Sequence, residues 1–263
     1  MIDAINKKIV IFILLLGLLG CNNLFDYSPF DADISSSDLN NINIKEIIAK
    51  NQTDFDTVKF AVISDPHNGY NDLKDAITNI NRISGLSFVV CDGDLTNWGD
   101  DKEFKWYWDE VKKSIYPIIS VIGNHDYLGS GKLIYTRMFG PSNFTFQVGS
   151  NNFVVFDDVV WENNNKAPDF AWLGQQFVTD KQNIVFTHIP EWSDQMITGK
   201  YNQPFDNLLT KNKVLVTIYG HDHDEEDTII NGNPQYVVAD IDDRRIVLVS
   251  LFNSKFTLKR ISY

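Results

Sequence analysis

The placement of its histidines constrains this chain more than any other feature. Only five occur in 263 residues, and all five fall at the ends of short apolar runs. TVKFAVISD, residues 57–65, is followed by Pro66-His67. YPIISVIGNHD, residues 116–126, ends on Gly123-Asn124-His125-Asp126. QNIVFTHIP, residues 182–190, carries Thr187-His188, and KVLVTIYGHDH, residues 213–223, closes on Gly220-His221-Asp222-His223. A further run, LSFVVCDGD, has no histidine but ends in Gly93-Asp94. Runs rich in β-branched and aromatic residues, bounded by Gly, Pro, Asn and Asp, read as buried strands. In α/β sheets, ligands bind just beyond the carboxyl ends of the strands. A lone histidine is ordinarily a core or surface residue, but five of five at strand ends indicate one site shared by several loops.

Between these strands lie helical patterns. NDLKDAITNINRIS places Leu73, Ala76, Ile77 and Ile80 on one face, and DKEFKWYWDEVKK does the same with Phe104, Trp108 and Val111. FAWLGQQFV also reads as a helix. NFTFQVG and NFVVFDD form an expected hairpin across Ser150-Asn151. The tail, from DTIING through PQYVVAD and RRIVLVSLFN to KFTLKRISY, reads as consecutive antiparallel strands. An early βαβαβ order and a late run of strands imply an α/β core with mixed sheets and outer helices. Net charge is −12, which leaves no basic face for nonspecific nucleic-acid binding.

The N-terminus reads as an export segment. Lys7 and Lys8 precede twelve apolar or glycine residues, IVIFILLLGLLG, at 9–20. That is short of the about 20 residues a membrane span needs and fits a signal-peptide core. Leu18-Leu19-Gly20-Cys21 resembles a bacterial lipobox. It implies removal of residues 1–20, acylation of Cys21, and a lipid-anchored protein of the cell envelope facing the periplasm or exterior. Residues 21–56, rich in Asn, Asp and Ser, read as a flexible tether in which Ile44, Ile47 and Ile48 give one amphipathic turn. The folded domain is expected over 57–263. Cys91, the other cysteine, reads as a small buried residue, so no disulfide framework is available.

The polar groups at the strand ends have a common chemistry. Asp65 and Asp94 offer carboxylate oxygens, and Asn124 an amide oxygen. The histidines offer imidazole nitrogens. Mixed N and O ligation without thiolate suits Mn, Fe or Zn rather than a structural zinc site. So many donors exceed one tetrahedral ion and indicate two divalent ions with a bridging carboxylate. Two-metal sites, with ions about 3.5 to 4 Å apart, clamp the attacking and leaving oxygens of phosphoryl transfer. In an extended segment residues i and i+2 share a face. His221 and His223 are therefore expected to reach different ions, with Asp222 pointing away. Asp224, Glu225, Glu226 and Asp227 read as a solvated acidic turn. Two divalent ions against two carboxylates leave a positive centre that draws a phosphate towards an acidic protein.

These blocks resemble the calcineurin-like metallophosphoesterases. The matching residues are Asp65-x-His67, Gly93-Asp94-x-x-Asn97, Gly123-Asn124-His125-Asp126, His188 and Gly220-His221-x-His223, in that order. The likeness runs from about residue 57 to the C-terminus. The resemblance implies a four-layer αββα sandwich with two mixed β-sheets. It implies a first metal on Asp65, His67 and His223, a second on Asn124, His188 and His221, and Asp94 as the bridge. It implies hydrolysis of small extracytoplasmic phosphomonoesters or phosphodiesters by a metal-bound hydroxide, with His125 as general acid. Asp126 would orient that histidine or support its loop.

Three departures narrow the family. Purple acid phosphatases have a tyrosine at the position of Asn97. Serine/threonine protein phosphatases have Asp-Arg-Gly in place of Asn97-Trp98-Gly99 and an arginine in place of Ile122. Both phosphate-clamping arginines are missing, which argues against protein phosphatase activity. Asn97 also replaces an acid able to pair with His125, and a neutral amide supports a cationic imidazole less. Trp98 and Trp192 follow ligand loops and are candidates to line the substrate groove, whereas Trp106 and Tyr107 fit the core better. The alternative function is a surface lipoprotein that uses the sandwich as a silent binding scaffold. The intact set of donors argues against it.

Overall fold

The computed structural model describes residues 37–51, 57–196 and 200–263. Strands β1 (Thr57–Ile63), β2 (Phe88–Asp92), β3 (Ile118–Val121), β10 (Arg245–Phe252) and β11 (Lys255–Ser262) form one sheet, in the order β11-β10-β1-β2-β3. Strands β4 (Phe144–Val148), β5 (Asn151–Val155), β6 (Gln182–Phe186), β7 (Val216–Tyr219), β8 (Glu226–Ile230) and β9 (Asn233–Val237) form the other, in the order β4-β5-β6-β7-β9-β8. Both sheets are mixed. β1, β2 and β3 run parallel while β10 opposes β1, and β5, β6, β7 and β9 run parallel between two antiparallel edges.

The side-chain alternation of the strands makes the layers. Val58, Phe60 and Val62 of β1 face Phe153, Ile184 and Phe186 of the second sheet in one apolar core. Phe60 is its hub, stacked on Phe88 at 4.8 Å and edge-on to Phe153 and Phe186 at 5.7 Å. Aromatic pairs in these geometries add to the free energy of area burial alone. The alternate residues Ala61 and Ile63 are buried as well, because helices cover the outer face. Helices α2 (Tyr70–Ile80) and α3 (Asp101–Val111) bury Leu73, Ala76, Ile77, Ile80, Phe104, Tyr107 and Val111. On α3 the buried stripe runs through Tyr107 rather than Trp108, and the Tyr107 hydroxyl meets Ser120 Oγ on β3 at 2.8 Å. Behind the second sheet, α5 (Phe170–Gln176) and α6 (Asn202–Lys211) pack Leu173, Phe205 and Leu209 on Phe156, Val185 and Tyr219. The result is the expected four-layer sandwich with two mixed sheets.

Three parts of the sequence reading change. Residues 39–50, assigned to the tether, form a docked helix, α1 (Leu39–Lys50), with Asn40 and Ile47 buried. Asn40 works as a surrogate strand: its amide donates to the Ser120 carbonyl at 2.9 Å and accepts the Ser120 N–H at 2.9 Å. Asn43 donates to the Ile118 carbonyl at 2.6 Å. The asparagines that suggested solvent instead pair the open edge of β3. The signal segment, Cys21 and the remainder of the tether lie outside the described residues. Helices α4 (Gly131–Phe139) and α6 were not anticipated. One opens on a glycine, and the other carries Pro204 in its first turn, where proline is tolerated. The tail is also not one antiparallel run. β8 and β9 form a hairpin in the second sheet, while β10 and β11 form a separate hairpin in the first.

Candidate metal centre

The strands leave the sheets through backbone that few residues adopt. Asp65, His67, Asp94, His221 and His223 have φ of 53°, 43°, 47°, 72° and 62°. Left-handed backbone is uncommon outside glycine, and it concentrates at sites where the surroundings enforce it. This corrects the extended reading of residues 221–223: two left-handed residues on either side of Asp222, not strand alternation, aim both imidazoles at the centre. Asp222 is exposed. Glu225, expected in a solvated turn, is buried against Arg245, Arg260 and the Tyr236 hydroxyl. Two glycines make the close approach possible. A Cβ on Gly93, which has φ +91°, would lie 2.1 Å from His188 Nδ1, and one on Gly220 would lie 2.1 Å from Ser64 Oγ.

The expected ligands converge. His67 Nε2 and His223 Nε2 are 3.2 Å apart, and each lies within 3.9 Å of Asp65 Oδ1. On the other side, His188 Nε2 is 3.2 Å from Asp94 Oδ2, and His221 Nδ1 is 3.0 Å from Asn124 Oδ1. Asp94 groups both with His67 and His125 and with His188 and His221, which is the position of a bridge. Asp65 Oδ1 and His188 Nε2, 3.7 Å apart, are buried and have no hydrogen-bond partner. Buried polar atoms without partners are rare and call for one. A divalent cation fits: the donors are oxygen and nitrogen, they face one another, and they are aimed into one space.

The protonation of two imidazoles suits the same group, whereas, against its burial, Asp94 and Asp65 hold His188 well above its ordinary value. Burial draws His67 down to about 4 and, with the nearby His188, draws His221 down to about 3. Both imidazoles are therefore neutral at pH 7, the form that binds metal. Burial pushes Asp65 up to about 6 against the pull of His188. Burial also opposes ionisation of Asp94, but His188 outweighs it, and Asp94 lies well below the carboxylate range.

Supporting groups fix the ligands from behind. His188 Nδ1 bonds the Asp92 carbonyl at 2.8 Å, so Nε2 faces inward. The Asn124 amide donates to Glu162 Oε1 at 3.1 Å. A carboxylate only accepts, so this bond turns the amide oxygen towards His221. His223 Nδ1 lies 3.4 Å from Asp240 Oδ2, a carboxylate–imidazole pair typical behind metal ligands. Sequence reasoning missed Glu162 and Asp240. Asp240 ends the run PQYVVAD, so the strand-end rule had marked its place.

The other expected site residues separate. His125 stands beside His67, with ring centroids 4.7 Å apart, and its N–H donates to Asp94 Oδ1 at 2.8 Å. Its Nδ1 pairs with the Asn97 main-chain carbonyl at 2.8 Å, so the side chain at position 97 is not the partner that the sequence suggested. Asp126 is fully buried and faces away, accepting from the N–H groups of Leu95, Thr96 and Gly123 and from the Thr96 hydroxyl. It supports the loop rather than the chemistry. Trp98 is exposed beside His125, and Trp106 is exposed on α3. Trp192 lies away from the ligands, edge-on to Tyr219 at 5.6 Å beneath the outer helices, because the chain turns back into that core after Glu191.

Comparison with known proteins agrees with this geometry. A family model described as calcineurin-like phosphoesterase matches residues 58–225. The human protein named serine/threonine-protein phosphatase CPPED1 is 30% identical over 141 residues, which is 44% of this chain and 44% of that protein. The likeness thus spans less than half the length of that relative. Purple acid phosphatase PPD1 from yellow lupin superposes with a TM-score of 0.61 at 14% identity, covering 78% of this chain and 51% of that one. GAP50 of Plasmodium, described as the anchor in the inner membrane complex, superposes with a TM-score of 0.59 at 16% identity, covering 78% and 84%.

Proposed function

This chain belongs to the calcineurin-like phosphoesterase family, and from that premise we propose that it hydrolyses phosphomonoester or phosphodiester bonds of small extracytoplasmic substrates with two divalent metal ions. The unpartnered Asp65 Oδ1 and His188 Nε2 carry the reading, because a buried carboxylate oxygen and imidazole nitrogen left without hydrogen-bond partners beside the other donors fit cation ligation. Asp65, His67 and His223 would hold one ion, and Asn124, His188 and His221 the other, with Asp94 shared. When bound, such ions supply Lewis-acid charge for the phosphoryl oxygens and a nucleophile at neutral pH.

The residues of the chain supply the remainder. His125 projects over the shared carboxylate with Nδ1 engaged by the Asn97 carbonyl, which leaves Nε2 free to give a proton to the leaving oxygen. Asp126 holds the Gly123–His125 loop against Leu95 and Thr96. The human relative is named a protein phosphatase, but Trp98 and Ile122 stand here in place of the phosphate-clamping arginines, so the proposed substrates are small. Cys21 is proposed as a lipid anchor at the cell envelope, supported by the apolar run before it.

The test is reconstitution of metal-stripped protein with Mn, Fe or Zn, followed by assay on monoesters, diesters and cyclic nucleotides. Metal-dependent turnover that falls about 10²- to 10⁴-fold in His125→Ala supports the reading. Absence of metal-dependent turnover on every ester would return the chain to the scaffold reading.

A further inference from the structure

Two exposed tryptophans stand next in the chain to residues bonded to the centre. Trp98 is 63% exposed. The residue before it, Asn97, gives its carbonyl to His125 Nδ1, and the Trp98 N–H donates to Glu103 Oε2 at 2.8 Å. Gly99, at φ +70°, then turns the chain so closely against Leu128 that a Cβ would lie 2.3 Å from the Leu128 carbonyl. Trp161 is 49% exposed. The residue after it, Glu162, accepts from the Asn124 amide at 3.1 Å. Residues 157–160 before it are buried, and the turn beyond it closes with the Asn165 N–H on the Val160 carbonyl at 2.8 Å.

Asn124 and His125 are adjacent, so both loops are fastened to one corner of the centre. Among the described residues neither indole stacks on another ring, and neither belongs to a core. An exposed tryptophan on a fixed loop offers a large, flat contact surface with little conformational entropy to lose.

The charge around the centre adds a second constraint. Among the described residues, the hydrogen bonds and ion pairs of Asp65, His67, Asp94, Asn124, His125, His188, His221 and His223 run to carboxylates, imidazoles, amides and main chain. No lysine or arginine is among these partners. The groups behind the ligands, Glu162 and Asp240, are acidic. A phosphate monoester carries close to two negative charges at neutral pH, whereas a diester carries one. Acids behind the ligands, with no lysine or arginine among the partners named above, oppose the second charge.

Resting on the phosphoesterase reading above, we propose that the substrate is a phosphodiester bearing a planar aromatic group, a nucleobase or an aryl ring, recognised by Trp98 and Trp161. The test measures binding to the Mn-loaded full chain by calorimetry, with three probes that are not turned over. Methylphenylphosphinate, with only P–C bonds to carbon, is an aromatic monoanion, phenylphosphonate an aromatic dianion, and dimethylphosphinate a monoanion without a ring. The expected order has methylphenylphosphinate tightest by about tenfold over the ringless probe, the scale of stacking on an aromatic side chain. Trp98→Ala and Trp161→Ala are expected each to weaken it at least fivefold, while Trp98→Phe and Trp161→Phe recover most of the affinity. Tighter binding of the dianion, or equal binding of the two monoanions, overturns the proposal. Turnover of esters with no effect of the indoles on binding sinks the inference and leaves the phosphoesterase reading standing. Tryptophan-dependent binding without turnover of any ester does the reverse.

Discussion

The two halves of the metal centre differ in depth. The imidazole of His188 is 0% exposed, whereas His67 is 16% and His223 46% exposed. His188 is fixed by main chain: its Nδ1 pairs with the Asp92 carbonyl, and Gly93 leaves no spare space beside it. His223 is fixed by a side chain, Asp240, on the solvent side. One half is therefore built into the junction of the two sheets, and the other is laid over it. A buried, pre-oriented set of donors releases an ion slowly, because release exposes unpaired buried groups to each other. If two ions bind as proposed, the outer one is expected to exchange more readily and to meet the arriving substrate first.

Four experiments break or sharpen this contrast. The largest effect is expected from His188→Ala, which should abolish retention of the inner ion and lower turnover by more than the roughly 10–100-fold that loss of an outer partner costs. His223→Ala should keep one tightly held ion through dialysis. Equal metal content in the two variants would refute the contrast. Next, Asp240→Asn should weaken only the outer ion, by about 10–100-fold, as read by metal titration. A matching loss at the inner ion would mean that the halves are not separately supported.

Third, Gly93→Ala forces a Cβ against His188 and removes the left-handed freedom of that turn. Its expected cost is about 1–3 kcal/mol in denaturant unfolding, together with faster loss of the inner ion. The smallest effect serves as a control outside both halves. Burial pushes Glu191 up to about 7 from its ordinary 4.5, against the donation of Gln235. A carboxyl raised in the folded state contributes fully below its unfolded value and loses stability as pH rises through about 7. Glu191→Gln should therefore gain Tm relative to the parent between pH 5 and pH 8, by about 2–4 °C, without altering either ion. A pH-independent difference would show that Glu191 is ionised in the fold.

The cluster of candidate donors was legible because metal chemistry restricts residue type and topology restricts place. His67, His188, His221 and His223 stand where apolar runs stop, and no packing argument needs them there. The sandwich was legible from strand alternation such as Val58, Phe60 and Val62. What escaped depended on geometry without a local signal. Asn97 acts through its carbonyl, which every residue has, so its identity misled. Glu162 touches Asn124 across 38 positions, in a loop with no periodicity. Asn40 resembled tether composition, and only the unpaired edge of β3 explains it. Trp192 followed a ligand loop as Trp98 does, but the chain after it returns to the core.

The docked helix α1 separates two meanings of the word domain. All the ligands lie between Asp65 and His223, inside the span matched by the family model, residues 58–225. The folding unit is larger at both ends. Before the span, Asn40 and Asn43 supply the last rung of the first sheet. After it, β10 joins β11 to β1, and Asp240 supports His223. The chemistry is thus carried by an inner stretch of chain whose cohesion is supplied from outside it. A chain trimmed to its recognisable core would keep every candidate ligand and His125 and lose the closure of its sheet at both edges.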